Sequence, residues 1–170
     1  QITADCETAL HEGKAVFDAL EAQTGEATVE SVFGQYETMA DALTGIGDVW
    51  HLRSVHPDAD VREAANACSE QQSDFLSQIG LSRPYFDRIA AIDTTQLTAV
   101  ERHMVEEALE GFRRSGVDRD AATRQKIRTL QSDITALGNE FDKNIREDVR
   151  SVQVDASELA GLPQDYIDAH

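Results

Sequence analysis

Cysteine and proline are both scarce in this sequence of 170 residues, which contains two cysteines and three prolines. A disulfide-rich scaffold places several cysteine pairs in a smaller chain, so the sequence falls outside that class. Cys6 and Cys68 each lie on an apolar helical stripe. We therefore expect both to be small buried hydrophobic residues.

Long apolar runs and basic residues are scarce as well. The longest uninterrupted apolar run covers residues 89–92, whereas a helix that spans a bilayer needs about 20 such residues. Lysine and arginine together number 15 against 32 acidic residues, so the formal net charge is -17. Because this charge repels nucleic-acid backbones and anionic lipid, we expect neither a nucleic acid nor a membrane as a partner.

Apolar residues make up 41% of the chain, which is too many for a disordered acidic segment. They recur at helical spacing almost everywhere. The sequence therefore predicts an all-α, antiparallel helical bundle-like domain of about six helices. One short strand near the C-terminus is also expected, because Val152 and Val154 alternate there with polar residues.

The ends of the predicted helices are marked by caps, glycines and prolines. Thr98 and Glu101 have the spacing of a capping box, and Gly116 closes the same helix. Gly45 and Gly47 weaken a long second helix, so we expect a bend there. The predicted helices cover about 4–23, 28–55, 58–80, 82–92, 98–116 and 120–145.

The last of these helices has the clearest apolar stripe, with side chains three or four positions apart. We expect this stripe to pack into the core, so that Leu130→Ala would cost about 2–5 kcal/mol of stability. Its members are Ile127, Leu130, Ile134, Leu137, Phe141 and Ile145.

Histidine spacing argues against a metal site in this chain. A zinc peptidase helix carries two histidines four positions apart, with a glutamate after the first. His11 and Glu12 supply the first half of that motif, but Ala15 occupies the second histidine position. Di-metal bundles need a glutamate three residues before a histidine on two helices. The nearest match is Asp48 before His51, and it has no second copy.

Other candidate motifs are incomplete. His103 and Glu106 could face one ion on a helix, but such spacing is typical of a surface pair in an acidic protein. Gly111 and Gly116 have phosphate-loop spacing, yet no Lys-Ser follows them and no strand precedes them. The sequence thus predicts no catalytic, cofactor-binding or metal-binding residue in this chain.

Several short segments resemble one known family in their order and spacing. Together they are similar to the N-terminal helical region of the thimet oligopeptidase and oligopeptidase A family of zinc metallopeptidases. TVES, for example, is similar to the Thr-Phe-Glu-Asn helix opening of that family. The segments are TVES (28–31), LRSVHP with VREA (52–57 and 61–64), GFRRSGV (111–117), NEFDKNIRED (139–148) and ELAGLP (158–163).

The resemblance implies a helical N-terminal domain at residues 1–150 that forms one wall of a deep channel. Residues 151–170 would then start the connection to a catalytic domain missing from this chain. In this family zinc is held by two histidines of a His-Glu-x-x-His helix and a later glutamate, all beyond this chain. The chain itself is therefore expected to be non-catalytic, with zinc in the missing part of a metalloendopeptidase that cleaves short peptides. The implied partner is the catalytic domain of the same polypeptide, and the implied location is the cytoplasm.

Two other functions fit the composition. A free-standing acidic all-α protein-interaction module is the main alternative, whereas a small metal-binding bundle enzyme is disfavoured by the ligand spacing. The sequence stops at His170, shortly after a helix start at Pro163, so we expect a piece of a longer protein. Such a piece would expose one apolar face, and self-association through Trp50, Tyr85 or Phe86 would fit.

Overall fold

The structure is a computed structural model that describes residues 1–169, with Ala156 and Ala169 described by their backbone alone, while His170 lies outside the described residues. The described chain is helical, which confirms the predicted all-α class. The helices are α1 (Ile2–Glu21), α2 (Val29–Thr44), α3 (Val49–Val55), α4 (Ala59–Gly80), α5 (Arg83–Ala90), α6 (Ala99–Ser115), α7 (Ala121–Glu147) and α8 (Gln164–Ala169), with a short 3-10 helix at Ala156–Leu159.

Helix α4 is the central element of the packing. Helix α1 packs against both α2 and α4, α3 and α7 each pack against α4, and α5 packs against α6. No helix within residues 1–169 combines the length and the hydropathy that a membrane crossing requires.

Local chemistry sets the ends of α6 where the sequence predicts them. Thr98 Oγ1 accepts the backbone N–H of Glu101 at 3.3 Å, and a Glu101 carboxylate oxygen accepts the N–H of Thr98 at 2.8 Å. Hydrogen bonds from the hydroxyl and the N–H of Thr98 lower the pKa of Glu101. Gly116 has a φ of 95°, and a Cβ there would lie 2.6 Å from Cδ1 of Ile127. Only glycine fits this turn without displacing a neighbour.

Two regions refine the predicted order of elements. The bend expected near Gly45 and Gly47 is a break, since α2 ends at Thr44 and α3 begins at Val49. Residues 148–155 form neither helix nor strand, so the short strand expected at Val152 and Val154 is not observed among the described residues. A strand needs a partner to receive its backbone hydrogen bonds, and the neighbouring chain is helical.

A cluster of aromatic rings joins helices α1, α5 and α6 at the core. Tyr85 is 1% exposed and meets Phe17 and Phe112 edge-on, with ring centroids at 5.7 and 5.4 Å. Phe86 is also buried. The expectation that Tyr85 or Phe86 belongs to an exposed apolar face is therefore wrong, because α5 turns both rings inward, where they contact Phe112 of α6. Trp50, in contrast, is 59% exposed.

The two cysteines are buried, as predicted, but they are not free. A disulfide joins Cys6 in α1 to Cys68 in α4, with Cα atoms 5.9 Å apart. The expectation of two separate hydrophobic residues is therefore corrected. The pairing arises because α1 packs alongside α4, a tertiary contact that the spacing of two cysteines does not reveal.

Helix α7 turns its apolar stripe toward solvent, whereas the sequence predicts that this stripe packs into the core. Its five most regularly spaced large apolar side chains, which we call the α7 stripe, are exposed by half or more. The prediction that they form core is therefore wrong. Only Ile127, at the start of the predicted set, is partly buried, against the turn at Gly116. The α7 stripe consists of Leu130, Ile134, Leu137, Phe141 and Ile145.

The exposure of Leu130 changes the effect expected from its truncation. Because the side chain is 50% exposed, Leu130→Ala leaves no closed cavity and should change the free energy of unfolding by less than about 1 kcal/mol. Leu20 is fully buried, so Leu20→Ala is the matched control and should cost about 2–5 kcal/mol. Urea denaturation of both variants measures the difference, and equal losses would contradict the observed orientation of α7.

Candidate functional site

The most distinctive cluster of polar side chains lies where α3, α4 and α7 meet. Arg53 in α3 is 6% exposed. Its Nη1 donates a hydrogen bond to Oδ1 of Asn139, and its Nη2 lies 3.5 Å from a carboxylate oxygen of Asp142. Asn139 Nδ2 in turn donates to Oε1 of Glu70 at 2.9 Å. We call Arg53, Glu70, Asn139 and Asp142 the polar junction.

The polar junction is held from one side by an aromatic ring. The guanidinium carbon of Arg53 lies 4.0 Å from the ring centroid of Trp50, a cation–π contact that further orients the arginine. Asn66 donates a second hydrogen bond to Glu70 at 3.3 Å. Because the buried charge has a carboxylate, an amide and a ring as neighbours, the cluster is a structural tie between helices.

Further hydrogen bonds continue this tie along α4 and α7. The hydroxyls of Ser73 and Thr135 lie 3.1 Å apart, and Ser77 donates to Gln131 Oε1. Helix α7 thus faces α4 with the polar side chains of Gln131, Thr135 and Asn139. Its apolar stripe lies elsewhere on its surface.

Two apolar grooves border α4. One, of about 420 Å³, lies between α2, α4 and α6 and is lined by residues that include Phe33, Leu76 and Phe112. The other, of about 400 Å³, lies between α3, α4 and α7 and is lined by residues that include Trp50, Leu76 and Ile134. Leu76 is 46% exposed and lines both grooves, so the two grooves are adjacent. Burial, together with the neighbouring Tyr36, raises the pKa of the Tyr85 phenol at the floor of the first groove.

The histidines do not form a catalytic or metal-binding cluster in the described chain. His11, His51 and His103 are all exposed and lie on different helices. Within residues 1–169 no group of three or more histidine, cysteine, aspartate and glutamate side chains is arranged to hold a metal ion. Gly111 and Gly116 lie at the C-terminal end of α6, so their spacing does not form a phosphate loop.

Sequence reasoning missed the polar junction because its partners are distant in the chain. Arg53 and Asn139 are 86 positions apart. One signal was present: Arg53 lies among the apolar residues Val49, Leu52 and Val55 of α3. An arginine in an apolar setting usually has a charged or polar partner.

The fold and the polar junction define an all-α scaffold, and the comparisons place that scaffold among known proteins. No family model matches the chain. It is 31% identical over 149 residues to a mitochondrial intermediate peptidase of Coprinopsis scobicola. The matched region covers 84% of this chain and 19% of the relative. It is 23% identical over 146 residues to the organellar oligopeptidase A, chloroplastic/mitochondrial, of Arabidopsis thaliana, which covers 81% of this chain and 18% of the relative.

The chain thus spans about a fifth of the length of the curated relatives it matches. A mitochondrial intermediate peptidase of Coprinopsis cinerea repeats the pattern, with 29% identity over 149 residues. The predicted resemblance is confirmed: the chain is related to peptidases of the thimet oligopeptidase and oligopeptidase A family over most of its own length.

Proposed function

We propose that this chain is the non-catalytic helical N-terminal part of a zinc-dependent oligopeptidase, a metalloendopeptidase that cleaves short peptides. The observation that carries the proposal is the match itself, which covers most of this chain but only 19% of a peptidase. The zinc-binding His-Glu-x-x-His motif is absent from the sequence. Zinc and the water that it activates therefore belong to the remainder of the parent enzyme.

Within this proposal, residues 1–150 form one wall of the substrate channel and residues 151–170 begin the connection to the catalytic domain. The packed helices α1 to α7 support this division, because they end at Glu147. The residues that follow have no regular secondary structure and are exposed up to the short 3-10 helix. The catalytic domain of the same polypeptide is then the principal partner of this chain.

The proposal is tested by comparing the protein encoded by the whole reading frame with the 170-residue chain. We expect the longer protein to cleave a quenched short peptide, to lose that activity with a chelator and to regain it with zinc. The 170-residue chain alone should show no zinc-dependent turnover. Turnover by this chain, or a stop codon directly after His170, would refute the proposal.

A free-standing protein-interaction module is the alternative function, and one observation favours it. The α7 stripe exposes five large apolar side chains, which is typical of a surface that binds a partner. The reading frame separates the two functions, because a natural stop after His170 leaves the module as the only one that fits.

The location of the protein is a separate proposal. The cytoplasmic location predicted from the resemblance stays a prediction, and the disulfide between Cys6 and Cys68 favours a different compartment. Structural disulfides persist in oxidising compartments and are rare in the cytosol. We therefore propose that this chain folds in an oxidising compartment.

A further inference from the structure

Helix α7 packs against the bundle with its polar face, unlike an ordinary surface helix. An amphipathic helix normally buries its apolar stripe and leaves its polar face in water. In α7 the polar side chains Thr135 and Asn139 face the bundle, whereas Leu137 and Phe141 are each 65% exposed. The α7 stripe is therefore an uncovered apolar surface along most of a 27-residue helix.

Other exposed apolar residues lie beside the α7 stripe and beyond the end of the helix. Ile134 shares a groove with Trp50 and Leu76, both of which are also exposed. Beyond α7, Val149 and Val152 are exposed as well. Contiguous apolar surfaces of more than a few hundred Å² mark an interaction site in soluble proteins.

We propose that the α7 stripe is the surface on which the remainder of the same polypeptide docks. This inference rests on the proposed function, since the matched relatives extend well beyond the fifth of their length that this chain covers. Residues 148–155, which directly follow α7, are exposed. Polypeptide that follows α7 is therefore tethered next to the stripe, where the tether raises its effective concentration.

Charge argues against a second copy of this chain as the occupant. Helix α7 is close to neutral, with five basic and four acidic residues, but the whole chain carries a net charge of -17. Two copies that meet through α7 would bring two strongly acidic bodies together, and like charges oppose that association.

Thiol labelling of the protein from the whole reading frame tests the proposal. The two cysteines of this chain are joined in the disulfide, so Leu137→Cys introduces a reactive thiol that peptide mapping identifies. We expect a maleimide to react at position 137 at least about tenfold more slowly in the native protein than in urea. Val100→Cys, at a helical position that is 79% exposed, is the matched control, and Ile134→Cys is a second position on the stripe.

Each outcome decides the proposal. Labelling at positions 134 and 137 that is slowed less than tenfold by folding would overturn it, as would protection that grows with protein concentration, which indicates a second copy. A reading frame that ends at His170 would leave nothing to dock and would also overturn it.

Peptide cleavage is a separate readout. An inactive protein in which position 137 is protected refutes only the peptidase function. An active protein in which that position is accessible refutes only the docking surface.

Discussion

Removal of the disulfide, by Cys6→Ala together with Cys68→Ala, is expected to lower the free energy of unfolding by about 4 kcal/mol. The two cysteines are 62 positions apart, so their bond closes a long loop and removes much conformational freedom from the unfolded chain. In the chain-entropy model the stabilisation grows with the length of that loop. For a domain of this size, the loss corresponds to a fall in melting temperature of roughly 8–16 °C.

Urea denaturation with and without reductant measures this effect. Reduction should destabilise the unmodified protein by a similar amount and should leave the double variant unchanged, which makes the variant its own control. Thiol titration of the unfolded, unreduced protein should find no free thiol. Two free thiols in protein prepared under oxidising conditions, or a reductant effect below about 1 kcal/mol, would contradict both the bond and the oxidising compartment.

Local features of the fold are predictable from the sequence because they depend on residues a few positions apart. The capping box of Thr98 and Glu101 and the turn at Gly116 appear where expected, and the break at Gly45 and Gly47 was anticipated as a bend. Each of these depends on backbone hydrogen bonds or on φ at one residue. The residues that determine these features are therefore close together in the sequence.

Tertiary features of the candidate site were not predictable in the same way. The periodicity of α7 identifies an apolar stripe, but it does not say which neighbour covers that stripe. In an isolated domain the apolar stripe of a helix usually packs into the core. That prediction is wrong for α7, because polar contacts hold this helix on α4. The disulfide was missed for the same reason, since Cys6 and Cys68 meet only through the packing of α1 on α4.

Two of the segments that carry the family resemblance meet at the polar junction. Arg53 lies in the segment at 52–57, and Asn139 and Asp142 lie in the segment at 139–148. The structure brings these two segments into contact through the hydrogen bond from Arg53 to Asn139 and the ion pair with Asp142. Two segments that are far apart in the sequence are thus joined by one tertiary contact, which ties α7 to α3.

Arg53→Met is expected to weaken the attachment of α7 and to lower the free energy of unfolding by about 2–3 kcal/mol. Methionine keeps the apolar stem of the side chain, so the change removes mainly the guanidinium. Oδ1 of Asn139, a residue only 8% exposed, then loses its donor, and a buried acceptor without a partner is costly. The pair with Asp142 contributes less, because that carboxylate is 54% exposed and is screened by water.

The matched control is Arg114→Met, which removes an exposed arginine 3.5 Å from Glu110 and should cost less than about 1 kcal/mol. Trp50 is the only tryptophan in the sequence and contacts the Arg53 guanidinium, so its fluorescence reports on the junction in urea titrations. Hydrogen exchange should quicken along α7 in Arg53→Met and not in the control. Equal stability and equal exchange in the two variants would show that the polar junction does not hold α7. The polar junction would then not explain why the α7 stripe is exposed.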